Sequence, residues 1–309
     1  PKNEVFRREK WNDCTPWGGD STFIFLLYFM PLVSVVMPVY NTAAYVWPAI
    51  DSILAQTFVD FEYIIIDDGS TDESREIIQQ YAAQDDRIQA YQNTENKRLV
   101  YTRNIALWYI DPTSQYVGIL DPDDTIWSSR LEYTMQYMQT HPETSVVWVD
   151  LQYIDETWAL GSAYPYPKTP KAKKKLCQRQ SPLSHGGSLI RISDWRQIGF
   201  HYDITFLRAH DYELWSRFVG QWYQLSGLDT PDAHDIKIYH RISGPQQGKR
   251  KYLKLTIKNS MRIQRNLIKT YHMMPGILDI IYMIGESVLL ILPSSVTFFL
   301  FTHLRWTKS

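Results

Sequence analysis

Tyr116-Val117-Gly118-Ile119-Leu120 followed at once by Asp121-Pro122-Asp123-Asp124 is the stretch on which the fold turns. A short apolar run rich in β-formers reads as a buried strand of a parallel sheet. Three carboxylates crowded at its carboxyl end repel one another unless a cation sits among them. In an open α/β sheet that end is also the edge where ligands bind. A hard divalent ion bridging to phosphate oxygens is the natural occupant, and the plain alternative is an acidic strand-to-helix turn capped by Asp.

Working outward, the same alternation recurs on both sides. Val33–Pro38 and Phe61–Ile66 are strand-like, Ile88–Tyr91 is a short strand, and Ser145–Val149 closes the series. Between them, 43–56, 73–83, 100–108 and 130–140 carry helical periodicity. Strand–helix alternation of this kind implies parallel strands joined by right-handed crossovers. The first strand ends in Pro38-Val39-Tyr40-Asn41 and the second in Asp67-Asp68-Gly69-Ser70-Thr71-Asp72, so both turns fall at the sheet edge that holds Asp121. There Tyr40 can stack on a base, Asp68 can accept from a ring N–H, and Gly69 permits the tight turn. Ser70 and Asp72 can cap the following helix.

Beyond 155 the periodicity lapses. Tyr164–Lys175 is Pro- and Lys-rich and is expected to be a mobile loop. Order resumes at Ser188–Arg191, with helices expected at 193–198 and 211–219. A helix over 250–272 aligns Lys254, Lys258, Arg262, Arg265 and Lys269 beside an apolar stripe of Leu253, Ile257, Met261 and Ile268. It is either a solvated helix packed on the domain or one lying on an anionic membrane surface. The apolar tail from Gly276 to Trp306 is interrupted by Asp279, Glu286 and Pro293, and reads as an interfacial or re-entrant helical hairpin rather than a span.

With 309 residues, 44% of them hydrophobic, the chain suits one large domain with an appendage. A net charge of −1 argues against a nucleic-acid binder. The two cysteines, Cys14 and Cys177, stand far apart without metal-like spacing, and free thiols in a reducing compartment are expected. The apolar patch Phe23–Met30 lacks the basic run of a secretory signal. Residues 1–30 form an N-terminal segment to which the sequence assigns no role.

V-S-V-V-M-P-V-Y-N, F-E-Y-I-I-I-D-D-G-S-T-D-E-S and I-L-D-P-D-D, in that order and spacing, resemble the inverting family 2 glycosyltransferases of GT-A fold. The likeness runs from about Leu32 to Arg217. It implies an α/β, Rossmann-like, mostly parallel sheet flanked by helices, to which the patterning beyond 246 adds a basic and apolar helical appendage at the C-terminus. The implied division is a GT-A domain over 31–245, its nucleotide-binding half at 31–125 and its acceptor half at 126–245, followed by a helical region at 246–309.

The resemblance also implies a nucleotide-diphospho-sugar donor, held by Pro38, Tyr40, Asp68, Arg103 and Asp121, with Mn2+ or Mg2+ at Asp121, Asp123 and Asp124. Ala209-His210-Asp211-Tyr212-Glu213-Leu214-Trp215 is similar to the family's E-D-Y-x-L-W segment, which puts Asp211 at the general-base position. The chemistry needs such a group, because an acceptor hydroxyl is a poor nucleophile until a carboxylate takes its proton. Otherwise Asp211 is a helix N-cap. His185 and His210 fall on the acceptor side. His210 stands where the family has Glu, Arg98 stands where it has Gly, and the absence of Q-x-x-R-W points to transfer of a single sugar.

The expected acceptor is a glycan or lipid-linked hydroxyl. The expected workplace is cytoplasmic, peripheral at the inner face of the membrane. Two rivals stand beside this reading. One is a non-catalytic nucleotide-sugar or glycan-binding module. The other is a nucleotidyltransferase, which would normally show a Gly/Arg/Lys-rich turn after the first strand.

Overall fold

A computed structural model of the chain describes residues 31–228 apart from 156, 158, 165 and 168, then 237–241 and 247–306. The segment 1–30, with Cys14 and the patch at 23–30, lies outside the described residues. In chain order the elements are β1 (Val33–Val39), α1 (Ala43–Leu54), β2 (Phe61–Asp67), α2 (Ser74–Ala82), β3 (Ile88–Gln92), α3 (Leu99–Tyr109), β4 (Tyr116–Ile119) and β5 (Thr125–Ile126). There follow α4 (Arg130–Thr140), β6 (Thr144–Trp148), β7 (Asp150–Ile154), β8 (Leu160–Tyr164), α5 (Pro170–Cys177), β9 (Ser188–Arg191), α6 (Ile192–Gln197) and α7 (His210–Gly220). The chain closes with β10 (Gln224–Gly227), β11 (Lys237–Arg241), α8 (Gln247–Lys269), α9 (Ile277–Ile291) and α10 (Ser294–Trp306).

The main sheet has seven strands in the order β10-β6-β9-β4-β1-β2-β3. β1 is central and parallel to both neighbours, Val33 opposite Phe61 on one side and Tyr116 on the other. Its Val33, Val35, Met37 and Val39 point into one core, with residues of α1, α2 and α4, while Val36 points into the other, with residues of α3, α6 and α7. That alternation is why β1 is buried along its whole length and apolar on both faces.

The parallel series breaks after β4. β6 does not pair with β4; β9 inserts between them, antiparallel to each. Four residues, Ser188-Leu189-Ile190-Arg191, make that strand, too few to carry a readable period. A second, four-stranded sheet, β5-β11-β7-β8, brings the late strand β11 beside residues 124–126.

The Pro/Lys-rich segment is ordered where the sequence reads as a loop. Thr169 Oγ1 accepts from the Ala172 N–H, a proline follows it in the first turn, and Pro170–Cys177 is a helix. Lys173 is buried, its ammonium donating to the Leu225 carbonyl and lying 4.2 Å from the centroid of the Trp148 ring. This helix is amphipathic with lysine used for its aliphatic stem, which composition alone does not reveal. The basic helix expected at 250–272 forms three residues earlier, as α8, and the apolar tail is the helix pair α9 and α10 turning at Leu292–Pro293. Among the described residues, no helix is long and apolar enough to cross a membrane.

Candidate active site

The carboxyl ends of β1, β2 and β4 open onto a cleft of about 360 Å³ lined by Pro38, Tyr40, Asp68, Asn96, Leu99, Thr102, Asp121, Asp123 and His240, among others. Its floor is tied together by short polar contacts between the first two turns. The Asn41 N–H donates to Ser70 Oγ (3.0 Å), the Thr71 N–H to Asn41 Oδ1 (2.8 Å) and the Thr42 N–H to Ser74 Oγ (2.9 Å). Asp72 bridges two helix starts, accepting from Ser74 N at one oxygen and Ala43 N at the other, both at 3.0 Å. The turn residues that the sequence marks as caps therefore clamp α1 to α2 and hold Tyr40, which is 44% exposed, at the mouth.

Asp68 is buried at the cleft wall. Its Oδ1 accepts from Asn93 Nδ2 (2.7 Å) and the Lys97 N–H (2.9 Å), and its Oδ2 from the Arg98 N–H (3.0 Å). The segment 93–98 is thus folded over Gly69, whose φ is +73°. A Cβ there would lie 2.9 Å from the Glu95 carbonyl carbon, so this turn requires glycine. Oδ2 keeps lone-pair capacity for a donor from the cleft.

Asp121 and Asp123 follow β4. Arg103, buried on α3, donates to Asp121 and meets His210 Nε2. Because arginine only donates, His210 must accept there as the neutral Nδ1–H tautomer. Burial, reinforced by the Arg103 charge, holds the His210 imidazole well below its usual range. Burial first, then the neighbouring Asp124 and Asp121 charges, push the Asp123 carboxyl up to about 7.

The residues present fit a hard divalent cation through two oxygen-bearing side chains, Asp121 and Asp123, which a metal would relieve of this crowding. Among the described residues, no group of three or more His, Cys, Asp or Glu is set for a metal. Asp124 is not part of this set, against the expectation from D-P-D-D. Its carboxyl turns inward, where Oδ1 accepts from His240 Nδ1 (2.8 Å) and the Arg241 N–H (3.2 Å). It anchors β11 under the acidic turn.

His240 itself is the residue that sequence reasoning passes over. The pairing with Asp124 overrides desolvation and raises the imidazole to about 9, so a cation lines the cleft beside Asp121 and Asp123. Nothing near position 240 in the sequence marks it, because the contact spans 116 residues.

Across Arg103 from Asp121 lies the start of α7. Ala209, in the left-handed region at φ +59°, occupies the N-cap position, and the Glu213 N–H returns to its carbonyl (2.9 Å). Asp211 is therefore inside the first turn rather than the cap. Its carboxyl is raised by desolvation, partly offset by its own helix N–H groups and by Arg103. His185 packs with Tyr202, His210 and Trp215, and its Nε2 meets the Tyr202 hydroxyl at 3.0 Å. A Cβ on the following Gly186 would come within 2.7 Å of Ile238 Cδ1, so a side chain there requires the buried Ile238 to shift aside. Gly186 and Gly187, beside the expected acceptor-side His185, are packed against Ile238 of β11.

A cleft at the carboxyl edge of a Rossmann-like sheet, with acidic groups after β4, lies where such sheets bind their ligands. The model of the glycosyl transferase family 2 matches residues 34–199, more than half of the chain, and the chain belongs to that family. It is 33% identical over 196 residues to EpsE of Bacillus subtilis strain 168, covering 63% of this chain and 69% of EpsE. It is also 30% identical over 203 residues to an uncharacterized glycosyltransferase, MJ1057, of Methanocaldococcus jannaschii, covering 64% of this chain and 68% of that one.

The GT-A fold is shared with S. aureus TarS 1–349 in complex with UDP-GlcNAc, at TM-score 0.58 and 16% identity over 82% of this chain and 79% of that one. It is shared too with the mannosyltransferase PcManGT of Pyrobaculum calidifontis in complex with GDP-Man and Mn2+, at TM-score 0.55 and 17% identity over 91% and 82%. A longer TarS structure is spanned over 42% of its length.

Proposed function

We propose that this chain is an inverting glycosyltransferase that moves one sugar from a nucleotide-diphosphate sugar to a hydroxyl of a glycan or lipid-linked acceptor. The observation that carries it is Asp211, a desolvated carboxyl in the first turn of α7 that lies within reach of the Arg103 and Asp121 charges. Pro38, Tyr40 and Asp68 hold the base end of the donor, and Asp121, with Arg103 behind it, the sugar-diphosphate end. UDP-sugars are the first donors to test, since TarS binds UDP-GlcNAc.

Asp211 accepts the proton of the acceptor hydroxyl as that oxygen attacks the anomeric carbon in line with the departing diphosphate. Mn2+ or Mg2+, held by Asp121 and Asp123, would supply charge stabilisation to the leaving group when bound. The His240 imidazolium adds a fixed positive charge at the same end of the cleft. His185 and His210 act on the acceptor side by fixing Arg103 and Tyr202. Residues 31–245 carry this chemistry, donor first and acceptor second, and 246–309 hold the enzyme peripherally at the cytoplasmic face of a membrane.

The test is a screen of UDP-, GDP- and dTDP-sugars for binding and for acceptor-dependent nucleotide release, with Mn2+ or with EDTA. Release that Asp211→Asn abolishes while donor binding persists supports the reading. Donor binding with no release across all acceptors tried would replace it with a non-catalytic binding module.

A further inference from the structure

In sequence the apolar tail is broken by two acids, and the structure turns both of them inward. Asp279 is 4% exposed; its Oδ1 accepts from Arg179 Nε (2.6 Å) and its Oδ2 from the Gly276 N–H (2.9 Å). Glu286 is 3% exposed and accepts from Gln264 Nε2 of α8 (2.8 Å). Seven residues apart, the two acids share one face of α9.

The opposite face has no such feature. Ile277, Ile281, Ile284, Val288 and Ile291, at steps of four and three, form one stripe, each between 47% and 82% exposed. An apolar stripe of this length on a monomer's surface marks an interaction site. At about 1.5 Å per residue, α9 is about 22 Å long, short of the about 30 Å hydrocarbon thickness. It can lie on a bilayer and cannot span one.

Charge selects the occupant. From Gln247 to Trp306 the chain carries nine lysines and arginines and no acid but the two that are buried. Leu253, Ile257 and Met261 of α8 pack on Leu289, Leu290 and Phe298 of α9 and α10. About 100° further round α8, by helix geometry, run the exposed Lys258, Arg262, Arg265 and Lys269. Their long stems let them flank the apolar layer with their charges at headgroup level. A second copy of the chain on this face would set two basic stripes against each other.

We infer that α9 and α10 lie flat on an anionic lipid surface, the isoleucine stripe of α9 inserted and the α8 cations on the headgroups. This rests on the membrane-side reading above and gives it a surface, an orientation and a lipid class. It also links docking to the acceptor side through α8. Asn259 Nδ2 donates to the Arg208 carbonyl (2.8 Å) and Arg262 to Thr205 Oγ1 (2.9 Å), clamping the loop that leads into Asp211. On that loop Ile204 and Leu207 are themselves exposed, 42% and 36%.

The experiment is flotation of the purified full chain with vesicles of phosphatidylcholine, alone or with one third phosphatidylglycerol, for wild type and Ile281→Glu/Ile284→Glu. Wild type should float with the anionic vesicles and much less with the neutral ones. The double variant should lose at least about tenfold in vesicle affinity, two inserted side chains having become charged. Nucleotide-sugar binding, measured without vesicles, should be the same for both proteins. Absence of wild-type flotation, or equal flotation of the variant, overturns docking whatever the donor result. A wild-type dimer that the variant dissolves, with no flotation, overturns it in favour of a second copy. Loss of donor binding in wild type would instead strike the enzyme reading and leave the flotation result standing.

Discussion

The donor wall and the acceptor wall of the cleft are built by different strategies. Residues of the donor wall sit at the ends of the adjacent parallel strands β4, β1 and β2, and each turn is fixed by its neighbours within about 30 residues of sequence. The acceptor wall is assembled from distance. Arg103 reaches His210 across 107 residues, and where this wall joins the donor wall Asp124 reaches His240 across 116. The first wall is sheet topology read off in order. The second depends on a strand inserted antiparallel and on a late strand, β11, returning to the acidic turn.

Asp211→Asn gives the largest expected effect and tests the wall built from distance. Transfer should fall by about 10²–10⁴, the range for a general base, with donor affinity within about twofold. Its pH profile sharpens the point. Asp211 works deprotonated and burial raises its carboxyl, so kcat/KM must climb with pH over a limb lying above the ordinary carboxylate range. A limb at ordinary carboxylate pH, with transfer surviving in Asp211→Asn, would move the base elsewhere.

Asp68→Ala tests the donor wall. It removes the acceptor shared by Asn93 Nδ2 and the N–H groups of Lys97 and Arg98, of which Arg98 keeps Asn96 Oδ1, and it removes the proposed base contact. At about 1.5–3 kcal/mol for a hydrogen bond to a charged group, donor affinity should drop roughly ten- to a hundredfold. Calorimetric titration with UDP-sugar checks it. Unchanged affinity would mean that Asp68 is only the tie for 93–98.

This contrast also explains what the sequence could tell. The parallel core, the P-V-Y-N and D-D-G-S-T-D turns and the acidic turn were legible, because strand period, turn chemistry and edge position are local properties. Ser188–Arg191 was legible as an ordered stretch, but its antiparallel insertion between β4 and β6 was not, and α5 was hidden under a Pro/Lys composition that its buried Lys173 turns to packing. His240 and the inward turn of Asp124 were beyond reach, since each exists only through the other. Gly186 looked like a loop residue, although its meaning is a steric contact with Ile238.

Gly186→Val probes that contact. The added carbons must displace Ile238 Cδ1 and approach Asp124 Oδ2, already 3.2 Å from a Cβ at this site. Overpacking of this kind costs about 1–3 kcal/mol. Urea unfolding should show the loss, and the Asp124–His240 pair should loosen with it, weakening a cleft that Gly186 does not line. A variant of wild-type stability would show that the Ile238 side chain yields at little cost, and that this contact does not fix the packing of 185–187 on β11.

Arg98→Gly is the smallest effect and the one that runs the other way. Arg98 stands where the resemblance expects glycine, and its backbone, at φ +75° and ψ 149°, lies in a region that only glycine occupies without cost. Its side chain is exposed, while its N–H already serves Asp68 and Asn96. Strain of about 1–3 kcal/mol relieved, against about 0.5–1 kcal/mol of added backbone entropy, leaves a net gain in stability between about 0 and 2.5 kcal/mol. A higher urea midpoint with equal donor affinity is the expected result. Weaker donor binding in a stabilised Arg98→Gly would mean that the strain is kept because the guanidinium reaches the donor, which would give the donor wall a residue that its local turns do not explain.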